Sequence, residues 1–163
     1  MKILENYDLR NLNTFGILSY AKFFVEIANE KDLLELFNLS LFQNNEKLFL
    51  GGGSNILFTQ DFKGIVILNK LKGIEILKED ENYVWIRALG GESWHDLVSF
   101  VSSQNYWGIE NLAFIPGTVG AAPMQNIGAY GVELKETLEN VEAFEIATGK
   151  KKIFNKAECD FGY

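Results

Sequence analysis

The chain has 163 residues, 47% of them apolar and 23% charged, and a formal net charge of −7 from 15 Lys and Arg against 22 Asp and Glu. Thirteen Phe, six Tyr and three Trp can fill one large core or two small ones, which excludes a disordered chain. The acidic balance excludes a broad nucleic-acid surface, which needs clustered Lys and Arg, and the single cysteine, Cys159, excludes an intrachain disulfide.

The first ten residues contain no apolar h-region, so no secretory signal is expected. Asn13-Thr14-Phe15-Gly16 reads as a turn before a first strand at 21–28. Asn29 can cap a helix over 30–41, where Leu33, Leu34, Phe37 and Leu41 recur at helical spacing. A short strand at 47–50 feeds Gly51-Gly52-Gly53-Ser54-Asn55. This β-α-β pattern predicts a small first lobe, 1–60. Segments 62–68, 74–77 and 83–88 then alternate apolar and polar residues, as half-buried strands do. Gly90-Gly91 leads to Ser93, the predicted cap of a helix over 94–103 with Leu97, Val98 and Val101 on one face. Strands at 141–147 and 152–154 form a predicted hairpin around Thr148-Gly149, and Asn155 can cap a last turn at 156–159. Lys150-Lys151-Lys152 is the one basic run and reads as a solvated hairpin tip. The pattern is α+β, with a second lobe over 61–163 and no internal repeat.

Two loops stand out chemically. In the first, three successive glycines let neighbouring N–H groups point into one concavity, a geometry that suits phosphate oxygens, and Ser54 and Asn55 add side-chain donors. The dinucleotide fingerprint G-x-G-x-x-G fails because Ile56 occupies its third glycine position, and no Gly-Lys-Ser/Thr follows as a phosphate loop requires. Phosphate binding and a tight structural turn therefore both stand. The second loop lies in a run from 111 to 132 that has no charge, both prolines of the chain, and Gly117, Gly120, Gly128 and Gly131. Small residues let a flat ring approach the backbone, and Thr118, Gln125, Asn126 and Tyr130 offer polar tips for its edge. The alternative is a buried glycine-rich turn joining two elements. Together, two donor-rich and charge-poor loops favour an extended dinucleotide.

The run at 111–132 is long enough to suggest a membrane span, but its prolines, glycines and amides argue against one, and a soluble cytoplasmic protein is expected. His95 reads as an exposed helix histidine. With no second His and no HExxH pattern, no metal site is expected. Cys159 reads as a buried or inert thiol, Glu79 and Glu81 as solvated turn residues, and Trp107 as a core residue.

Four motifs resemble one family: NTFGI at 13–17, LGGGSN at 50–55, GIENLAFIPGTVGAAPMQNIGAYGVE at 108–133 and CDFGY at 159–163. The family is UDP-N-acetylenolpyruvoylglucosamine reductase, also called UDP-N-acetylmuramate dehydrogenase or MurB, and the resemblance runs from Asn13 to Tyr163. GGGSN alone would indicate only the wider superfamily of FAD-binding domains related to vanillyl-alcohol oxidase. The resemblance implies an α+β fold of the vanillyl-alcohol oxidase/PCMH-like type: two FAD-binding subdomains, 1–60 and 61–163, with the family's third, substrate domain missing. It implies reduction of enolpyruvyl-UDP-GlcNAc to UDP-MurNAc in peptidoglycan synthesis, with NADPH as hydride donor to the flavin. By the same resemblance Gly51, Gly52, Gly53, Ser54 and Asn55 hold the pyrophosphate. Ile115, Gly117, Thr118, Gly120, Ala121, Gln125, Asn126 and Gly128 lie along or near the flavin, and Tyr130 and Tyr163 are substrate-side candidates. The family's enolate-stabilising arginine would follow Tyr163, and its proton-transferring serine and glutamate come later still. The expectation is therefore an FAD-binding fragment that is inactive alone, with a stand-alone flavin- or nucleotide-binding module as the alternative. An oxidase with flavin attached to His95 or Cys159 ranks lower, since both lie outside the two loops. Expected partners are FAD, NADPH and a UDP-sugar gripped by the missing domain, with no nucleic acid and no membrane. The chain is expected to be monomeric, with a risk of self-association through apolar surface near 130–163.

Overall fold

The computed structural model describes residues 1–162, so the expectation at Tyr163 lies outside the described residues. Two compact units divide the chain, Met1–Lys72 and a second from Gly73 onward.

The first unit is built on a four-stranded sheet. In chain order it contains β1 (Ile3–Asp8), a 3-10 turn (Arg10–Leu12), β2 (Tyr20–Ile27), α1 (Glu30–Phe37), α2 (Ser40–Gln43), β3 (Lys47–Leu50) and β4 (Phe62–Asn69). The sheet order is β1-β2-β4-β3. β1 pairs antiparallel with β2, while β4 runs parallel to both β2 and β3. Central parallel strands are covered on both faces, and β4 follows the rule: Ile65, Val66, Ile67 and Leu68 are all buried. Val66 and Leu68 pack with Leu9, Ala21, Phe24, Leu50 and Phe58. Ile65 and Ile67 point to the opposite face by strand alternation. The Asn29 side chain accepts from Asp32 N (2.9 Å), as a helix cap should, and α1 buries Leu33, Leu36 and Phe37.

Three expectations shift here. β1 precedes the strand expected to be first. The helix expected over 30–41 stops at Phe37, where the Asn38 amide donates back to the Leu34 carbonyl (2.8 Å), and the chain restarts as α2. The lobe boundary falls after Lys72 rather than after residue 60, because β4 completes the first sheet between β2 and β3.

The second unit opens with the hairpin β5 (Ile74–Glu79) and β6 (Val84–Ala88). Its turn is held by Asp80, which accepts from the Asn82 and Tyr83 N–H groups at 2.9 Å each; those bonds keep its carboxyl below the usual range. α3 (Trp94–Ser103) follows, capped by Ser93. Later come β7 (Gly128–Ala129), β8 (Val132–Glu133), α4 (Leu134–Thr137) and the hairpin β9 (Asn140–Phe144) with β10 (Lys151–Asn155). The predicted 156–159 turn is present as a 3-10 turn capped by Asn155. Arg87 on β6 binds Glu142 on β9 (2.7 Å), and Lys151 on β10 joins the same carboxylate (3.5 Å). The core of this unit is Trp94, Leu97, Val98 and Val101 from α3 with Leu112, Ala122, Ile127 and Leu134. Three of these eight, Leu112, Ala122 and Ile127, come from the charge-free run, so that run is part of the fold's core as well as its surface.

Candidate functional site

The glycine loop after β3 is anchored at Gly53. This residue is buried with φ +68°, and a Cβ added to it would lie 1.9 Å from the Leu12 carbonyl oxygen. Thr14 donates to the Gly53 carbonyl twice, through its N–H and its Oγ1, at 3.1 Å each. The turn behind Thr14 is fixed by Asn13, whose buried amide donates to the Leu9 (2.9 Å) and Ile17 (3.0 Å) carbonyls and accepts from Ile17 N (3.0 Å). NTFGI is thus the scaffold of the GGGSN loop, a link that sequence spacing does not reveal across almost forty positions. Gly52, Gly53 and Ser54 make no backbone hydrogen bond through their own N–H groups among the described residues. A run of N–H groups without backbone partners is what an anion needs.

In the second unit the charge-free run is pinned along the segment before α3. Trp94 N donates to the Gly117 carbonyl (3.1 Å), Val119 N to Glu92 (2.9 Å) and Gly120 N to Gly90 (2.9 Å), and Ser93 bridges Thr118. A Cβ on Gly120 would meet the Gly90 carbonyl oxygen at 2.9 Å, so the two backbones approach as closely as glycines allow. The buried Trp94 indole reaches through the core to the Leu112 carbonyl (2.8 Å). Within this framework the Thr118 hydroxyl oxygen is buried and has no hydrogen-bond partner among the described residues. Buried hydroxyls without partners are costly, which makes this atom the natural place for a ligand contact.

The other expected residues divide by what holds them. Asn126 is turned inward with φ +42°; its amide donates to Glu133 (2.8 Å) and accepts from Lys135 N (3.0 Å), so it fastens the 128–133 hairpin to α4. Ile115, Gly117 and Ala121 are half-buried, whereas Gly120, Gln125 and Gly128 lie at the surface. Tyr130 occupies the tip of the hairpin, 90% exposed, with φ +52° and Gly131 after it at φ +81°. Left-handed backbone on a bulky residue costs about 1–2 kcal/mol, and such strain gathers where function requires a particular display. Asn-Gly is the preferred pair for this turn. Tyr130→Asn is therefore expected to raise stability by about 1 kcal/mol, read as a higher Tm. An unchanged or lower Tm would show that the Tyr130 conformation stores no strain.

Three expectations are corrected here. Trp107 is 74% exposed rather than core; the core position is taken by Trp94, and Gly108 (φ +124°) turns the chain at this point. Glu110 accepts from Gly108 N (2.6 Å), and that bond with its own N–H keeps its carboxyl below the usual range. His95 is half-buried rather than exposed: its ring stacks on Phe114 (centroids 4.4 Å, interplanar 23°), and its Nδ1 is buried without a partner among the described residues. Phe114 adopts φ +61° and is otherwise 80% exposed. Glu79 is exposed as expected but ends β5 rather than sitting in the turn, and it accepts from the Tyr106 hydroxyl (3.0 Å), which holds that phenol above its usual range. Cys159 is half-buried, and burial followed by the neighbouring Glu158 charge pushes its thiol up, as an inert thiol requires. Among the described residues no group of three or more His, Cys, Asp and Glu could hold a metal, and no helix is long and apolar enough to cross a membrane.

Comparison with known proteins places these features in context. A family described as FAD binding domain matches residues 21–155, a stretch that includes both loops. UDP-N-acetylenolpyruvoylglucosamine reductase from Amoebophilus asiaticus is 51% identical over all 163 residues, which make up 48% of that protein. The enzyme of the same name from Flavobacterium johnsoniae is 45% identical over all 163 residues, again 48% of its length. The chain thus spans about half the length of the curated relatives it matches. A crystal structure of UDP-N-acetylenolpyruvylglucosamine reductase (MurB) from Thermus caldophilus superposes with a TM-score of 0.75 at 23% identity, covering 99% of this chain and 55% of the other; it bears on the fold.

Proposed function

The chain belongs to the FAD binding domain family, and from that premise we propose that its 163 residues are the flavin-holding portion of a UDP-N-acetylenolpyruvoylglucosamine reductase rather than a module that stands alone. The observation that carries this reading is the Thr118 hydroxyl, buried and unpartnered in a segment whose backbone is otherwise tied down. The donor set fits the cofactor. Gly51 to Asn55 offer backbone N–H groups and two polar side chains for a pyrophosphate, and a chain of net charge −7 offers no overall basic field to hold it. Ile115, Gly117, Thr118, Gly120, Ala121, Gln125 and Gly128 supply small, uncharged backbone and a few polar tips for a flat ring system. Asn126 acts behind them by fixing the hairpin that carries Tyr130, the substrate-side candidate.

When bound, FAD supplies the hydride chemistry, with NADPH as donor. The residues of this chain would bind and orient the cofactor, and the unpartnered Thr118 hydroxyl would be available to hydrogen-bond to it. Tyr163 remains a second substrate-side candidate. The enolate-stabilising and proton-transferring groups, and the grip on the UDP-sugar, are assigned to residues other than these 163, in keeping with a chain that spans about half of its relatives. The reaction served is a cytoplasmic step of peptidoglycan synthesis.

The test is a turnover assay on the purified protein loaded with FAD. No NADPH consumption dependent on enolpyruvyl-UDP-GlcNAc is expected. Sustained consumption by these 163 residues alone would contradict the division of labour.

A further inference from the structure

The Gly53–Ser54 peptide has an orientation imposed from outside its own loop. Thr14 N and Thr14 Oγ1 both donate to its carbonyl, at 3.1 Å each. The described residues contain no cis peptide, so the Ser54 N–H points opposite to that carbonyl. Tying the carbonyl to Thr14 therefore aims the Ser54 N–H away from the turn at 9–17. Asn13 holds Thr14 in place through three hydrogen bonds of 2.9–3.0 Å.

We infer that Thr14 is a positioning residue for the dinucleotide: without touching it, its hydroxyl locks the Gly53–Ser54 peptide so that the Ser54 N–H is presented to a phosphate oxygen. This rests on the reading that the Gly51–Asn55 loop takes the pyrophosphate. A hydrogen bond to a charged oxygen depends strongly on donor direction, so loss of one of two tethers on the plane weakens it without removing any contact. Thr14 is distant in sequence from the loop, and its hydroxyl is not needed to form the turn, which Asn13 and the Thr14 N–H already hold.

The experiment compares the unaltered protein with Thr14→Val and Thr14→Ser by FAD titration, with amide NMR of Ser54 on the same samples. Thr14→Val keeps size and backbone N–H but removes the hydroxyl; it is expected to weaken FAD about tenfold and to abolish most of the FAD-induced shift of the Ser54 amide proton. Thr14→Ser restores the hydroxyl and is expected to return both. If Thr14→Val fails to fold, Thr14→Ala replaces it in the same comparison. Undiminished FAD affinity in the variant lacking the hydroxyl, or a Thr14→Ser protein that behaves like it, overturns the inference. FAD failing to bind the unaltered protein overturns instead the reading on which it rests, and the inference with it.

Discussion

Gly53→Ala is expected to be among the most damaging single substitutions in the chain, costing about 3–4 kcal/mol. Two independent penalties act at once. The residue sits at φ +68°, where an L side chain costs about 1–2 kcal/mol. The added Cβ would also lie 1.9 Å from the Leu12 carbonyl oxygen and 3.1 Å from the Asn13 Cα, and both obstacles are backbone. Forcing atoms into packed space costs a further 1–3 kcal/mol, roughly. Relief requires the loop to move away from the turn at 9–17, which breaks the Thr14 bonds and disperses the N–H groups of the loop. Thermal unfolding should show a Tm lower by about 10 °C, accompanied by loss of FAD binding. An alanine variant that melts and binds like the unaltered protein would mean that the loop is not anchored where Gly53 places it.

Trp94→Phe is the counterpart in the second unit, with an expected cost of about 3 kcal/mol. The indole is 4% exposed and its Nε1 donates to the Leu112 carbonyl at 2.8 Å, while Leu112 itself is fully buried. Phenylalanine fills most of the ring volume but leaves that carbonyl without its donor, and a buried unsatisfied group costs about 1–3 kcal/mol. The smaller ring adds a cavity term. The consequence reaches the candidate site because Leu112 lies near the start of the run that continues through Phe114 and Ile115 to Thr118, and Trp94 N also holds Gly117. A lower Tm and weaker FAD binding are expected together. Emission should also report the change: Trp94 is the most buried of the three tryptophans, with Trp85 half-buried and Trp107 74% exposed, so its loss should shift the emission to the red. A variant with unchanged Tm would show that the Trp94–Leu112 bond carries no net stability.

How far the sequence foretold this can be read residue by residue. β3, β4, α3 and the last 3-10 turn were legible because alternation, caps and glycine punctuation all agreed; Asn29, Ser93 and Asn155 accept the capping bonds that their residue types predict. β1 was not legible, since Ile3-Leu4-Glu5-Asn6-Tyr7-Asp8 is half polar and forms a strand by pairing with β2 at the sheet edge. The end of α1 depended on the Asn38 amide reaching Leu34, which competes locally with an apolar pattern that continues to Leu41. The two loops were visible from composition alone, but the source of their support was not. The Thr14–Gly53 contact joins positions 39 apart in sequence, and the Gly90–Gly120 approach is a tertiary event. Trp107 and Trp94 illustrate the remaining limit: both are tryptophans beside a predicted helix or loop, and only packing decides which enters the core.

The most direct test of the central claim is an equilibrium titration of the purified apoprotein with FAD, followed by gel filtration and a visible absorption spectrum of the protein peak. A flavin-holding chain should saturate at one FAD per protein, co-elute with it, and show flavin bands perturbed from those of free FAD. A protein that is folded by thermal melt yet elutes colourless, with no saturable change in flavin absorbance or fluorescence, would contradict the account.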